Sequence, residues 1–141
     1  MRICDSHAHV GNFDDHMSGC AVSYSPDTLL SEMDAAGVGL AIVSNISALE
    51  DPEGANDEMA VWARRYPRLI PLAWATPGIS RPERMLEYLG VGFRGLKLHP
   101  TAGKYRADCP EVHPLLDVCR DAQIPVLFHC AADEFSAPAL F

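Results

Sequence analysis

The chain has 141 residues, enough for one domain with a sizeable core. Nineteen acidic against eleven basic side chains leave a net charge of -8, which argues against a nucleic-acid backbone or an anionic membrane as partner. A small anionic substrate stays open, because a bound cation can reverse the local field.

Other global features point the same way. At 48% hydrophobic and 21% charged residues, the composition is that of a soluble globular protein. There is no apolar run of membrane-spanning length and no basic-then-apolar leader, so the expected location is the cytoplasm. The five cysteines are odd in number and include no CxxC pair, which predicts reduced thiols that mostly fill the core.

Residues 3–10, "ICDSHAHV", read as a first strand, and the Gly, Asp and Ser content of residues 11–25 predicts a loop after it. "SPDTLLSEMDAAG" predicts a helix capped by Ser25, with Pro26 in the first turn and Gly37 at the stop. Residues 39–45 are a short buried strand. "NDEMAVWARRYP" predicts a second helix, capped by Asn56, with Asp57 and Glu58 at its positive end and Arg64 and Arg65 at the other. Residues 69–77 form the third strand. The next helix opens on Ser80 and Glu83 in capping-box spacing, and "FRGLKLHP" (93–100) is the fourth strand. Asp108 and Glu111 repeat that spacing before a fourth helix, which carries His113 in a structural role. Residues 124–130, "IPVLFHC", form the fifth strand.

Five strands interleaved with four helices imply parallel pairing through right-handed crossovers. Two architectures fit at this point, an open doubly wound sheet and a (β/α) barrel. Both place the C-terminal strand ends on one rim, where ligands bind. The polar residues gather at those ends: His7 and His9 on strand one, Lys97 and His99 on strand four, His129 on strand five. Residues two apart share a face of a strand, so His7 and His9 point together, as do Lys97 and His99. Burying such groups unpartnered costs on the order of 2–7 kcal/mol each, and a metal offsets that cost for imidazoles. The predicted ligands are His7, His9 and His129. His16, beside Asp14 and Asp15, is expected in a solvated or substrate-adjacent loop.

Competing chemistry finds no support. No phosphate-cradling GxxxxGK[ST] loop and no GxSxG elbow occur. "GVGFRG" has dinucleotide-like glycine spacing but leads into a strand, the wrong context for a phosphate turn. Cys130 is read as a small buried residue, since nothing nearby lowers its pKa.

Taken together, "DSHAHVG", "ANDEMAVWARRYPRLIPLAWATP", "GFRGLKLHP" and "IPVLFHC" resemble the amidohydrolase-related branch of the amidohydrolase superfamily. The branch holds metal-dependent hydrolases and decarboxylases of the aminocarboxymuconate-semialdehyde decarboxylase type. The resemblance implies an α/β fold, part of a (β/α)8 TIM barrel with a divalent metal at its C-terminal rim. Zinc is the expected metal and manganese the alternative. His7, His9 and His129 would be ligands, and His99 and Lys97 would contact a small-molecule substrate. A carbamylated Lys97, as in other branches, ranks behind that role. The family's catalytic His and Asp, from the sixth and eighth strands, are expected beyond residue 141, since a full barrel takes about 250 residues. The implied activity is hydrolysis of a C–N or C–O bond in a small carboxylate, lactone or amide. Decarboxylation, or an inactive metal-binding fragment, is the alternative. A single truncated domain with an open apolar face is expected to form a homo-oligomer.

Overall fold

The first strand sorts its side chains by alternation, and the rest of the molecule follows that division. The structure, a computed structural model, describes residues 3–15 and 20–131. In β1 (Ile3–Asp15), Ala8 and Val10 face the hydrophobic core, while His7 and His9 face the other way. The strand is longer than its sequence predicts. It continues through residues expected to form a loop and pairs antiparallel with β2 (Cys20–Tyr24), from Gly11↔Tyr24 to Asp15↔Cys20. Phe13 stands opposite Val22, an apolar cross-strand pair that favours the hairpin over a free loop. His16 lies outside the described residues.

α1 (Pro26–Ala36) forms as its punctuation dictates. The Ser25 side chain accepts the Thr28 N–H, Pro26 occupies the first turn, and Gly37 closes the helix at φ 69°. β3 (Val38–Asn45) runs parallel to β1 and leads into a 3-10 turn at Ile46–Leu49. α2 (Pro52–Arg65) begins a turn earlier than Asn56 would set it, because the Asp51 side chain caps it by accepting the Gly54 N–H.

The predicted third strand is two. β4 (Leu69–Pro71) pairs with β3, and β5 (Ala73–Ala75) pairs with β6 (Leu96–Leu98). The switch occurs at Leu72: its N–H donates to Val43 O at 2.8 Å, and the next N–H, on Ala73, donates to Gly95 O at 2.9 Å. β7 (Val126–Phe128) adds in parallel to β6. β6 and β7 are shorter than the runs that predicted them.

Neither predicted capping box forms. α3 (Pro82–Gly90) starts after Arg81 without a side-chain cap, and the Ser80 hydroxyl instead accepts the Thr76 N–H. Asp108 pairs with Arg106, and a 3-10 turn at Pro110–Val112 precedes α5 (His113–Asp121). His113 is the exposed first residue of α5. A short α4 (Pro100–Gly103) follows β6 directly.

The parallel strands thus follow chain order across the two sheets. On one face, Val10, Ala41, Val43, Leu69, Ala73, Leu96 and Leu98 pack with helical Leu29, Met33, Met59, Met85, Tyr88 and Leu115 in one core. On the other, Ile42, Ile70, Leu72 and Leu127 line an open groove of about 190 Å³. A doubly wound sheet would carry helices on both faces. This one carries them on the outer face and leaves the inner face concave. No described helix is long and apolar enough to cross a membrane.

The thiols depart from expectation. Cys119 is buried and Cys109 half-buried, but Cys4 and Cys130 are exposed, so Cys130 is not a core residue. These four are free thiols.

Candidate functional site

At the C-terminal rim, inward-facing positions from four strands meet. β1 delivers His7 and His9, β5 delivers Trp74, β6 delivers Lys97, and the segments just beyond β6 and β7 deliver His99 and His129. His7 Nε2 and His9 Nε2 stand 3.1 Å apart. Lys97, fully buried, brings Nζ to 3.4 Å from His7 Nε2 and to 5.9 Å from the centre of the Trp74 ring. The His99 ring lies parallel to Trp74 at 5.6 Å between centroids and against the His129 ring at 3.8 Å.

Burial and neighbouring positive groups keep the His7, His9 and His99 rings uncharged. Burial, followed by the neighbouring His7 and Lys97, pushes His9 down to about 4. His99 also falls to about 4, through burial and then His129 and Lys97. Burial and then Lys97 lower His7, and burial lowers Lys97. A neutral imidazole keeps a lone pair available, which is the form that ligates a metal.

Backbone and hydroxyl contacts orient the rings. The Asp5 carboxylate accepts the His7 N–H at 3.0 Å. His9 Nδ1 lies 3.1 Å from the buried Ser44 hydroxyl on β3. With the Nδ1 proton donated to Ser44, the lone pair of His9 sits on Nε2, facing His7. His99 is set the other way. Its Nδ1 accepts the Ala102 N–H at 3.2 Å, so the proton of the neutral ring is on Nε2 and His99 offers a donor.

The His7–His9 pair fits a divalent cation. Two nitrogens at roughly 2.0–2.1 Å from one tetrahedral zinc stand about 3.3 Å apart, close to the observed separation. Two neutral rings this close also need a proton or a cation between their facing nitrogens. Among the described residues, however, no group of three His, Cys, Asp or Glu side chains is arranged to hold a metal by itself. The structure therefore brings His7, His9 and Lys97 together. It seats His129 on His99 rather than beside the His7–His9 pair.

Two contributors escaped the sequence reading. Trp74 touches His9, Lys97 and His99, and Ser44 holds His9. The sequence carries a partial signal for Trp74: a large aromatic near the end of its strand, on the same alternate face as Leu72.

The amidohydrolase family model matches residues 4–140. The chain belongs to the amidohydrolase family. No curated protein matches it. Solved structures agree in fold. An amidohydrolase II aligns with a TM-score of 0.77 at 18% identity, over 99% of this chain and 53% of its own. A 5-carboxyvanillate decarboxylase from Novosphingobium aromaticivorans, with bound manganese, aligns at 0.70 and 17%, over 92% of this chain and 51% of its own. A probable 2-pyrone-4,6-dicarboxylic acid hydrolase from Acinetobacter baumannii aligns at 0.67 and 20%, over 92% and 50%. The chain spans about half the length of these structures. The concave sheet is accordingly part of the TIM barrel of the amidohydrolases, with helices outside and the histidine rim at the C-terminal strand ends.

Proposed function

We propose that this chain supplies the metal-binding part of an amidohydrolase-type enzyme that hydrolyses a C–N or C–O bond in a small carboxylate, lactone or amide. The reading is carried by the 3.1 Å approach of His7 Nε2 to His9 Nε2 on one strand end. These two nitrogens would hold the cation, with His129 joining by a turn of its ring away from His99. Zinc suits the imidazole donors, and manganese is the alternative. When bound, such an ion polarises a carbonyl and acidifies a water.

The protein's own groups have separable parts. Ser44 keeps His9 in the tautomer that ligates. The Nε2–H of His99 donates to a substrate oxygen, and Lys97 supplies a second donor beside His7. The indole of Trp74 backs both. The chain spans about half the length of the similar structures, and we expect it alone to be inactive. Decarboxylation is the second reading, since the manganese-bound structure of similar fold is a decarboxylase.

The same reading makes a small molecule the partner. It leaves the apolar groove at Ile42, Ile70, Leu72 and Leu127 uncovered, so we expect the chain to self-associate. The free thiols at Cys4, Cys109, Cys119 and Cys130 support a reducing, cytoplasmic setting.

The test is cobalt(II) titration of the metal-free chain, read by visible absorption. We expect one ion per chain, lost in His9→Ala and weakened at least tenfold in His7→Ala. His113→Ala, on the exposed start of α5, should bind as the parent does. No uptake by the parent, or equal loss in His113→Ala, would overturn the reading.

A further inference from the structure

One buried polar side chain has no part in the metal reading, yet it holds the backbone of Trp74, the residue that backs the rim imidazoles. Asn56 lies in α2, is 2% exposed, and was expected to cap a helix. Its amide does something else. Asn56 Oδ1 accepts the Trp74 N–H at 2.8 Å, and Asn56 Nδ2 donates to the Trp74 carbonyl at 2.8 Å.

The topology explains why Trp74 needs this. In a parallel sheet, alternate residues bond to the strands on either side. Ala73 bonds toward β6 through Gly95, whereas Leu72 bonds toward β3 through Val43. Trp74 follows Leu72 in facing the β3 side. The β3–β4 ladder ends at Val43↔Pro71, so no β3 partner is paired with Trp74. Left alone, the Trp74 N–H and C=O would be a buried donor and acceptor, each costing about 1–3 kcal/mol. Asn56 supplies one acceptor and one donor, as a one-residue stand-in for the missing strand.

We propose that Asn56 is a positioning residue: through its two bonds to the Trp74 backbone it holds the indole against His99 and so fixes the direction of the His99 Nε2–H. That donor points at the oxygen of a carbonyl or carboxylate substrate. The proposal rests on the reading of His99 as a substrate contact. Its geometric core does not depend on a metal. Only a carboxamide of this length meets both backbone groups. A carboxylate would keep the bond to the N–H but set an oxygen against the Trp74 carbonyl.

The experiment uses the metal-free 141-residue chain carrying Trp62→Phe, so that Trp74 is the sole indole. Asn56→Leu, Asn56→Asp and Trp74→Phe (the last in the parent background) are compared by far-UV circular dichroism, tryptophan emission and proton NMR of the imidazoles. His99→Gln identifies the His99 resonances. Stacking on the indole displaces the His99 ring protons by its ring current. In Asn56→Leu, the expected results are a red-shifted Trp74 emission and His99 resonances at the positions they take in Trp74→Phe. Asn56→Asp should move them partway, with the circular dichroism unchanged. A folded Asn56→Leu whose His99 resonances stay at the parent positions would overturn the proposal. So would loss of the fold in both Asn56 variants, which would assign Asn56 to the scaffold alone. No cation is added, so failure of the metal reading leaves this result interpretable.

Discussion

Gly11 sits two residues past His9 with φ +107°, and a Cβ there would lie 1.9 Å from Asn45 Oδ1 and 2.8 Å from Ser47 Oγ. Gly11→Ala therefore has two separable costs. Holding a non-glycine residue in this region of backbone space costs about 1–3 kcal/mol. Clearing the collision requires Asn45 to move. That side chain is buried, accepts the Ser47 N–H, and donates to Ala55 O and Glu58 Oε2. Disrupting it costs a further 1–3 kcal/mol or so. The sum, about 4 kcal/mol, is a large share of the roughly 5–15 kcal/mol that holds a domain together. With a urea slope of about 2 kcal/mol/M, the midpoint should fall by about 2 M. Urea titration followed by circular dichroism measures it. Adding Asn45→Ala removes the obstruction, so the double variant should lose less than the two single losses combined, by about 0.5–3 kcal/mol. A midpoint shift below about 0.5 M, or strict additivity in the double variant, would refute the collision argument.

Two further expectations test the packing. Asp34 and Arg68 form an ion pair, but Asp34 is 67% exposed, so Asp34→Ala should cost less than about 1 kcal/mol in the same titration. Arg68 also donates to Val38 O and Gly39 O at 2.6 and 3.1 Å, tying the start of β3 down. Arg68→Ala should therefore cost about 2 kcal/mol or more, since bonds from a charged donor are worth roughly 1.5–3. Equal losses in the two variants would show that the ion pair, not the backbone contact, matters. Burial pushes the Cys119 thiol up to about 11, while Cys4 and Cys130 are exposed. With Ellman's reagent at pH 8, Cys4 and Cys130 should react at once and Cys119 only as the protein unfolds. Peptide mapping showing equal rates would contradict the placement of Cys119.

What could be read from the sequence divides by the range of the interaction. α1 was legible because Ser25, Pro26 and Gly37 act within one turn of the chain. The rim position of the histidines was legible because strand alternation and strand polarity are enough to put them at one end of the sheet. Asn56 was misread for the opposite reason. "NDE" before an amphipathic run has the form of a cap, but Asp51 does the capping, and the amide is taken by a strand 18 residues away. Ser80 failed as a cap in the same way, its hydroxyl being engaged by Thr76. The orientation of His129 was equally hidden, because it depends on the His99 ring, 30 positions earlier. A period-two pattern says which side a ring faces but not what it lies against.

The division of residues 69–75 between two partners has a consequence for how the molecule comes apart. Val43 and Gly95 are bonded by consecutive residues, Leu72 and Ala73. Each sheet thus owes one edge to the same short segment. Peeling away either sheet would expose ladder groups in the other, so neither can melt as a separate unit. Amide exchange across β3, β4, β5 and β6 should then report a single opening free energy, and a chain cut at Leu72 should yield two pieces that refold only in each other's presence.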